Sequence, residues 1–226
     1  MLGTIVNCIT IIIGSLIGLI FRKSLPERIG NTVMQGLALC VMYIGISGVF
    51  EGNNILISII SITIGGIIGE LFDFDGKLNM LGVKIENKFK RNDSKSSISE
   101  GFVAASLLFC VGAMAIVGSI QSGMTGEHQT LFAKSLMDGI SSIILTSSMG
   151  IGVMLSSVFV LFYQGIITVC SEFMTVLLTD AVISEMTASG SLLIIGLSLN
   201  MLGITKLKIM NYIPAVFIPI ILCRFM

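Results

Sequence analysis

Between Glu127 and Glu172 the charged residues are Lys134 and Asp138, four positions apart. At that spacing both side chains share one face of a helix. If the helix lies in a bilayer, each charge alone would cost about 2.5 kcal/mol or more to insert, and an ion pair offsets much of that. Two chemistries follow. Asp138 could load a cation or a proton while Lys134 tunes its affinity, which makes a solute- or ion-coupling site. Alternatively Lys134 snorkels outward and the pair is structural glue. Ser141 and Ser142 follow on the same helix beside Gly139.

Four uncharged amides, Asn7, Gln35, Gln164 and Asn200, stand inside apolar runs. Amides there commonly hydrogen-bond between helices, and with the hydroxyls of 141–148 they could line a polar path. Glu70 ends its own run beside Asp73 and Asp75, as an interfacial carboxylate or as an ion-lining gate. The candidate substrate- or ion-binding set is therefore Lys134, Asp138, Ser141, Ser142, Gln164, Asn7, Gln35, Asn200 and Glu70. Covalent catalysis is not expected. His128 is the single histidine, and neither H-E-x-x-H nor G-x-S-x-G is present. Cys8, Cys40, Cys110, Cys170 and Cys223 share no metal-ligand spacing, so no metal or cofactor is expected and the cysteines read as small buried hydrophobes.

These residues need elements to hold them, and composition says which. The 226 residues are 54% hydrophobic and 12% charged, with mean hydropathy +1.00. Soluble domains carry about 25% charge, so a soluble enzyme is excluded. Net charge is zero, with no basic stripe to bind nucleic acid. Charge-free runs at 1–21, 29–50, 52–69, 101–126, 139–171 and 186–205 approach the ~20 apolar residues of a membrane helix. The expectation is one all-α integral membrane domain over 1–226, with about eight (7–8) spans. The first three are Gly3–Phe21, a span from Pro26 to Phe50, and Ile55–Phe72; the fourth is Gly101–Ile120. The 33-residue run 139–171 is too long for one span. It makes two if the first begins near Gln129 and a turn falls at Gly150, which puts Lys134 and Asp138 inside the membrane. Ser191–Thr205 and Tyr212–Cys223 supply the last two, with 171–190 an outer loop in which Thr175–Met186 could dip into the membrane.

Residues 73–100 interrupt the pattern. Leu78, Leu81, Ile85 and Phe89 make one helical stripe flanked by lysines, an amphipathic helix for the membrane surface. Basic residues orient the chain. With the N-terminus outside, the inner segments, including 22–31, 73–100 and 206–212, hold all Lys and Arg except Lys134 and Arg224. Segments 22–31 and 73–100 are then cytoplasmic. Thr10–Phe21 and Ser61–Phe72 align without gaps, each with G-x-x-x-G (Gly14/Gly18 and Gly65/Gly69), a parallel internal repeat whose glycines allow close helix packing.

The strings GTIVN (3–7), LPE (25–27), ASLLFCVGAMAIVGSI (105–120), KSLMDGISS (134–142) and KLKIMNYIPA (206–215) together resemble the YqgA/YdfK-like family of bacterial inner-membrane proteins. The resemblance covers nearly the whole chain. It implies a multi-spanning helical fold in the bacterial cytoplasmic membrane. The family is catalogued as a domain of unknown function, so it supplies no substrate or catalytic residue. The leading expectation is a small-solute or ion transporter or channel in the lipid bilayer, assembled as a homodimer. The alternative is a non-transporting scaffold that binds a partner through the basic segment 73–100.

Overall fold

The computed structural model describes residues 1–24, 27–77, 80, 98–111 and 113–225. Among them there is no strand. The helices are α1 (Leu2–Ser24), α2 (Glu27–Val49), α3 (Ile55–Phe72), α4 (Ile98–Cys110), α5 (Ala113–Met124), α6 (Gln129–Met149), α7 (Gly152–Val169), α8 (Ser171–Leu177) and α9 (Asp180–Met201). A 3-10 helix (Ile209–Val216) and the short α10 (Pro219–Leu222) follow.

Local chemistry sets the sharpest boundaries. Asn54 caps α3 by accepting the Leu56 N–H, and Asp73 ends it in the left-handed region at φ 47°. Gly150, at φ 82°, turns α6 into α7, a backbone angle that disfavours any side chain with a Cβ. Thr179 caps α9 by accepting the Val182 N–H.

Four of these helices, α1, α3, α7 and α9, are long and apolar enough to cross a membrane, or five if the bent pair α4–α5 counts as one. That is fewer than the seven or eight expected. Among the described residues, Met34–Val49 of α2 and the C-terminal run Ile209–Leu222 are apolar but shorter. Helix α6 carries Lys134, Asp138 and a series of serines and threonines, which lower its hydropathy.

Two boundaries correct the sequence expectation. The fourth run is broken after Cys110, and its halves meet at 61°. The region 171–190 is largely helical: α8 covers Ser171–Leu177, and α9 begins at Asp180, well before Ser191. Small residues explain α9. Ala188, Ser189, Gly190 and Ser191 are all buried, so a stretch of modest hydropathy is wrapped by neighbours. Its apolar window is 78% buried against 28% for α3, which makes α9 a central helix and α3 a peripheral one. The amphipathic stripe Leu78, Leu81, Ile85 and Phe89 lies outside the described residues.

Glycines fix the helix pairings. Gly3 abuts Leu131, Gly14 abuts Ser142 and the Gly139 carbonyl, and Gly18 abuts Ile143 and Thr146. The two chains of contacts advance together, so α1 and α6 run parallel with backbones touching. Thr4 meets Thr168 and Asn7 meets Gln164, so α1 and α7 run antiparallel. Gly48, and Gly52 in the turn that follows, seat α2 and its end against Ser191 and Ala188 of α9, while Ser198 Oγ donates to the Ala38 carbonyl at 2.9 Å, an antiparallel pair. Gly65 and Gly69 seat α3 antiparallel on Ala215 and Asn211 of the 3-10 helix. Both G-x-x-x-G motifs thus serve close approach, on unrelated partners.

A Cβ at Gly14 has no room, whereas Gly36 on α2 has no heavy atom within 4 Å. Gly14→Val is expected to destabilise the fold by about 1–3 kcal/mol through overpacking. Gly36→Ala should be neutral or stabilising by roughly 0.5–1 kcal/mol. Thermal unfolding of the two variants in detergent checks both signs.

Candidate functional site

The α1–α6 contact, with α7 closing the third side, encloses the charged pair. Lys134 Nζ lies 2.9 Å from Asp138 Oδ1 and 2.8 Å from Oδ2, with both side chains 8% exposed. The i,i+4 spacing on α6 places lysine and carboxylate on one face. The parallel packing of α1 then brings Asn7 over them. Asn7 Nδ2 donates to Asp138 Oδ2 at 3.0 Å and to Gln164 Oε1 on α7 at 3.3 Å. Both amides are fully buried.

Three helices distant in sequence thus converge on one carboxylate, and four of the residues expected from sequence meet there. Ser142 sits one turn further along α6, buried, with its Oγ donating to the Gly139 carbonyl at 2.8 Å. The others are elsewhere. Ser141 and Gln35 are exposed on α6 and α2. Asn200 ties the loop after α9, donating to the Leu207 carbonyl at 2.7 Å and accepting from Thr205 Oγ1 and the Leu207 N–H. Glu70 belongs to a surface clasp between α3 and the chain near the 3-10 helix. It accepts from Lys208 Nζ at 2.8 Å and from Asn211 Nδ2 at 2.6 Å. Glu70's hydrogen bond and charge push Lys208 above the ordinary lysine range. Lys208 therefore keeps its charge through neutral pH, and on the alkaline side the clasp is lost as pH rises through that elevated value.

Some polar atoms at the junction have no partner. Asn7 Oδ1 and Gln164 Nε2 are buried and unbonded, as are the hydroxyls of Ser15 on α1 and Thr146 on α6. An unsatisfied buried polar group costs about 1–3 kcal/mol, and proteins keep few of them. These four lie on the faces that α1, α6 and α7 turn toward one another. With Thr4 and Thr168, whose hydroxyls are 3.3 Å apart, they extend the polar contacts along the junction on both sides of the ion pair.

Glu185 on α9 was not among the expected residues. It is 3% exposed, and its Oε1 accepts the backbone N–H groups of Asn53 and Asn54 at 2.7 and 2.8 Å. It therefore pins the α2–α3 turn, while Oε2 has no partner. The signal in sequence was a carboxylate followed by the small residues 187–191, which only a closely packed helix requires.

The family model described as "Protein of unknown function (DUF554)" matches residues 2–224. The chain belongs to that family. It is 33% identical over 223 residues to the "Uncharacterized membrane protein YdfK" of Bacillus subtilis (strain 168), covering 97% of this chain and 94% of that protein. It is 28% identical over 220 residues to the "Uncharacterized protein YqgA" of Escherichia coli (strain K12), covering 96% and 94%. No solved structure matches. The membership agrees with the resemblance carried by the sequence strings, and this DUF554 chain is a helical membrane protein.

Breaking one half of a buried pair strands the other charge. Lys134→Met is expected to cost about 3–5 kcal/mol, and Lys134→Met with Asp138→Leu substantially less, because no charge is then left buried alone. Thermal unfolding of the singles and the double in a double-mutant cycle measures this coupling.

Proposed function

We propose that this DUF554 protein is a small-solute or ion transporter or channel of the bacterial cell membrane, with Asp138 as its ion-loading group. The observation that carries the reading is the desolvated Lys134–Asp138 pair surrounded by buried amides whose Asn7 Oδ1 and Gln164 Nε2 are unpartnered. Structural glue is expected to satisfy its polar groups, because a half-satisfied buried network is worse than an apolar one. A site that binds and releases something keeps free donors and acceptors for it. Intramembrane ionisable groups mark ion and substrate paths, and the polar faces of α1, α6 and α7 give such a path its lining.

The relative helix directions favour eight crossings. Parallel α1 and α6, antiparallel α7, and antiparallel α2–α9 and α3–3-10 pairs are what a chain reversing direction at each turn produces. In that scheme the shorter α2, the polar α6 and the C-terminal 209–222 run cross as well, shielded by neighbours. The basic residues then place the N-terminus outside and 22–31 and 73–100 in the cytoplasm. A homodimer suits Gln35, an exposed amide on α2 beside the exposed apolar Leu39 and Tyr43. A second copy would remove it from lipid.

Proteoliposomes holding the full chain, challenged with a panel of inorganic ions and small polar solutes, test the reading. Wild type is expected to move at least one of them. Asp138→Asn should abolish that flux while retaining the wild-type elution profile in detergent. Equal flux in the variant, or none above protein-free liposomes for any probe, overturns it.

A further inference from the structure

Which ion Asp138 loads is decided by what surrounds it. We infer that it is a proton, with Lys134 as the built-in cation that competes for the carboxylate; this rests on the transport reading above. Lys134 Nζ bridges both carboxylate oxygens at 2.9 and 2.8 Å, on the face where a metal ion would sit. Asn7 turns an N–H toward Oδ2, and the Gln164 carbonyl oxygen is already accepting from Asn7. A donor aimed at the carboxylate repels a metal ion and suits an anion or a neutral acid. Hard cations such as calcium or magnesium take about six or more oxygen ligands. Beyond Asp138 itself, the unpartnered acceptor at this cluster is Asn7 Oδ1. Among the described residues no group of three or more His, Cys, Asp and Glu could hold a metal.

Room points the same way. The backbones of α1 and α6 touch at Gly14 and Gly18, about two and three turns from Asn7. A hydrated ion passing there must part the helices. A proton needs water and a carboxyl oxygen. A small cavity of ≈ 30 Å³ lies between α4, α7 and the 3-10 helix, walled mainly by apolar side chains such as Leu107, Phe159 and Val216, with Ser106 supplying a hydroxyl. Ser106 Oγ is buried there without a partner.

The titratable group facing Asp138 is Lys134 on its own helix, and the nearest cysteine of α4 is the buried Cys110. Helices α1 and α7 present Asn7 and Gln164, which carry no charge. Helix α5 has no charged residue, and α2 has Glu27 and Arg28 in its first turn and the exposed Cys40. On loading, a proton from water joins a carboxylate oxygen of Asp138. Lys134 keeps its three protons and loses its ionic partner. The site passes from neutral to a single positive charge, which apolar helices do not tolerate, and Lys134 turning toward water relieves it. Release runs the same steps backward. Proton binding is thereby coupled to opening of the junction.

Infrared pH titration of the full chain in lipid nanodiscs tests this without a known solute. Wild type should show a protonated-carboxyl stretch that is lost in Asp138→Asn and displaced in frequency in Asp138→Glu, which keeps the carboxyl should the amide variant misfold. Replacing an organic cation by sodium, potassium or magnesium should leave the midpoint within about twofold in proton concentration, well under the tenfold that one pH unit represents. A tenfold displacement by any of the three metals, or a wild-type carboxyl spectrum that neither Asp138→Asn nor Asp138→Glu alters, overturns the inference. The transport reading fails separately, when flux in proteoliposomes is indifferent to Asp138→Asn.

Discussion

Lys134 and Asp138 form an ion pair out of reach of solvent, and much of the architecture reads as the conditions for that pair to exist. A lysine and a carboxylate in an apolar bundle each need charge compensation and hydrogen bonds. The i,i+4 spacing on α6 supplies the first. The second requires α1 to lie against α6 along its length, because the Asn7 amide comes from there. Gly3, Gly14 and Gly18 on α1 make that contact tight enough. Helix α7, turned back by Gly150, closes the third side with Gln164.

The remaining polar contacts fasten the periphery. Glu185 holds the α2–α3 turn, and Glu70 with Lys208 and Asn211 holds the end of α3. Neither contact reaches the α1–α6–α7 junction. Exposed Glu70–Lys208 is a screened surface pair worth little by itself. The buried pair differs in kind, since losing one partner strands a charge.

How much of this was readable from sequence depended on whether the signal was local. Helix α3 ends where expected, because Asn54 and Asp73 are cap chemistry. The division of 139–171 followed from length and Gly150, and it put Lys134 and Asp138 on a helix beginning at Gln129, as observed. Which amides would join them was not local. Asn7, Gln35, Gln164 and Asn200 look alike in sequence, and only the parallel register of α1 and α6 separates Asn7 from Gln35. The break after Cys110 and the early start of α9 were missed for a related reason. Hydropathy cannot see a bend inside an apolar run, and it undervalues Ala, Ser and Gly that pack closely. Glu185 went with them, in a segment read as a loop.

Exchanging the two charges asks most directly whether the pair acts as a positioned site or as interchangeable glue. In the double variant Lys134→Asp with Asp138→Lys, the helix face and the ion pair are retained, but the carboxylate moves one turn away from Asn7 and Gln164. The measurement is thermal stability together with flux in proteoliposomes. If the carboxylate must sit at position 138, stability recovers relative to either single exchange while flux stays absent. Wild-type flux in the exchanged protein, or single exchanges as stable as wild type, would contradict it.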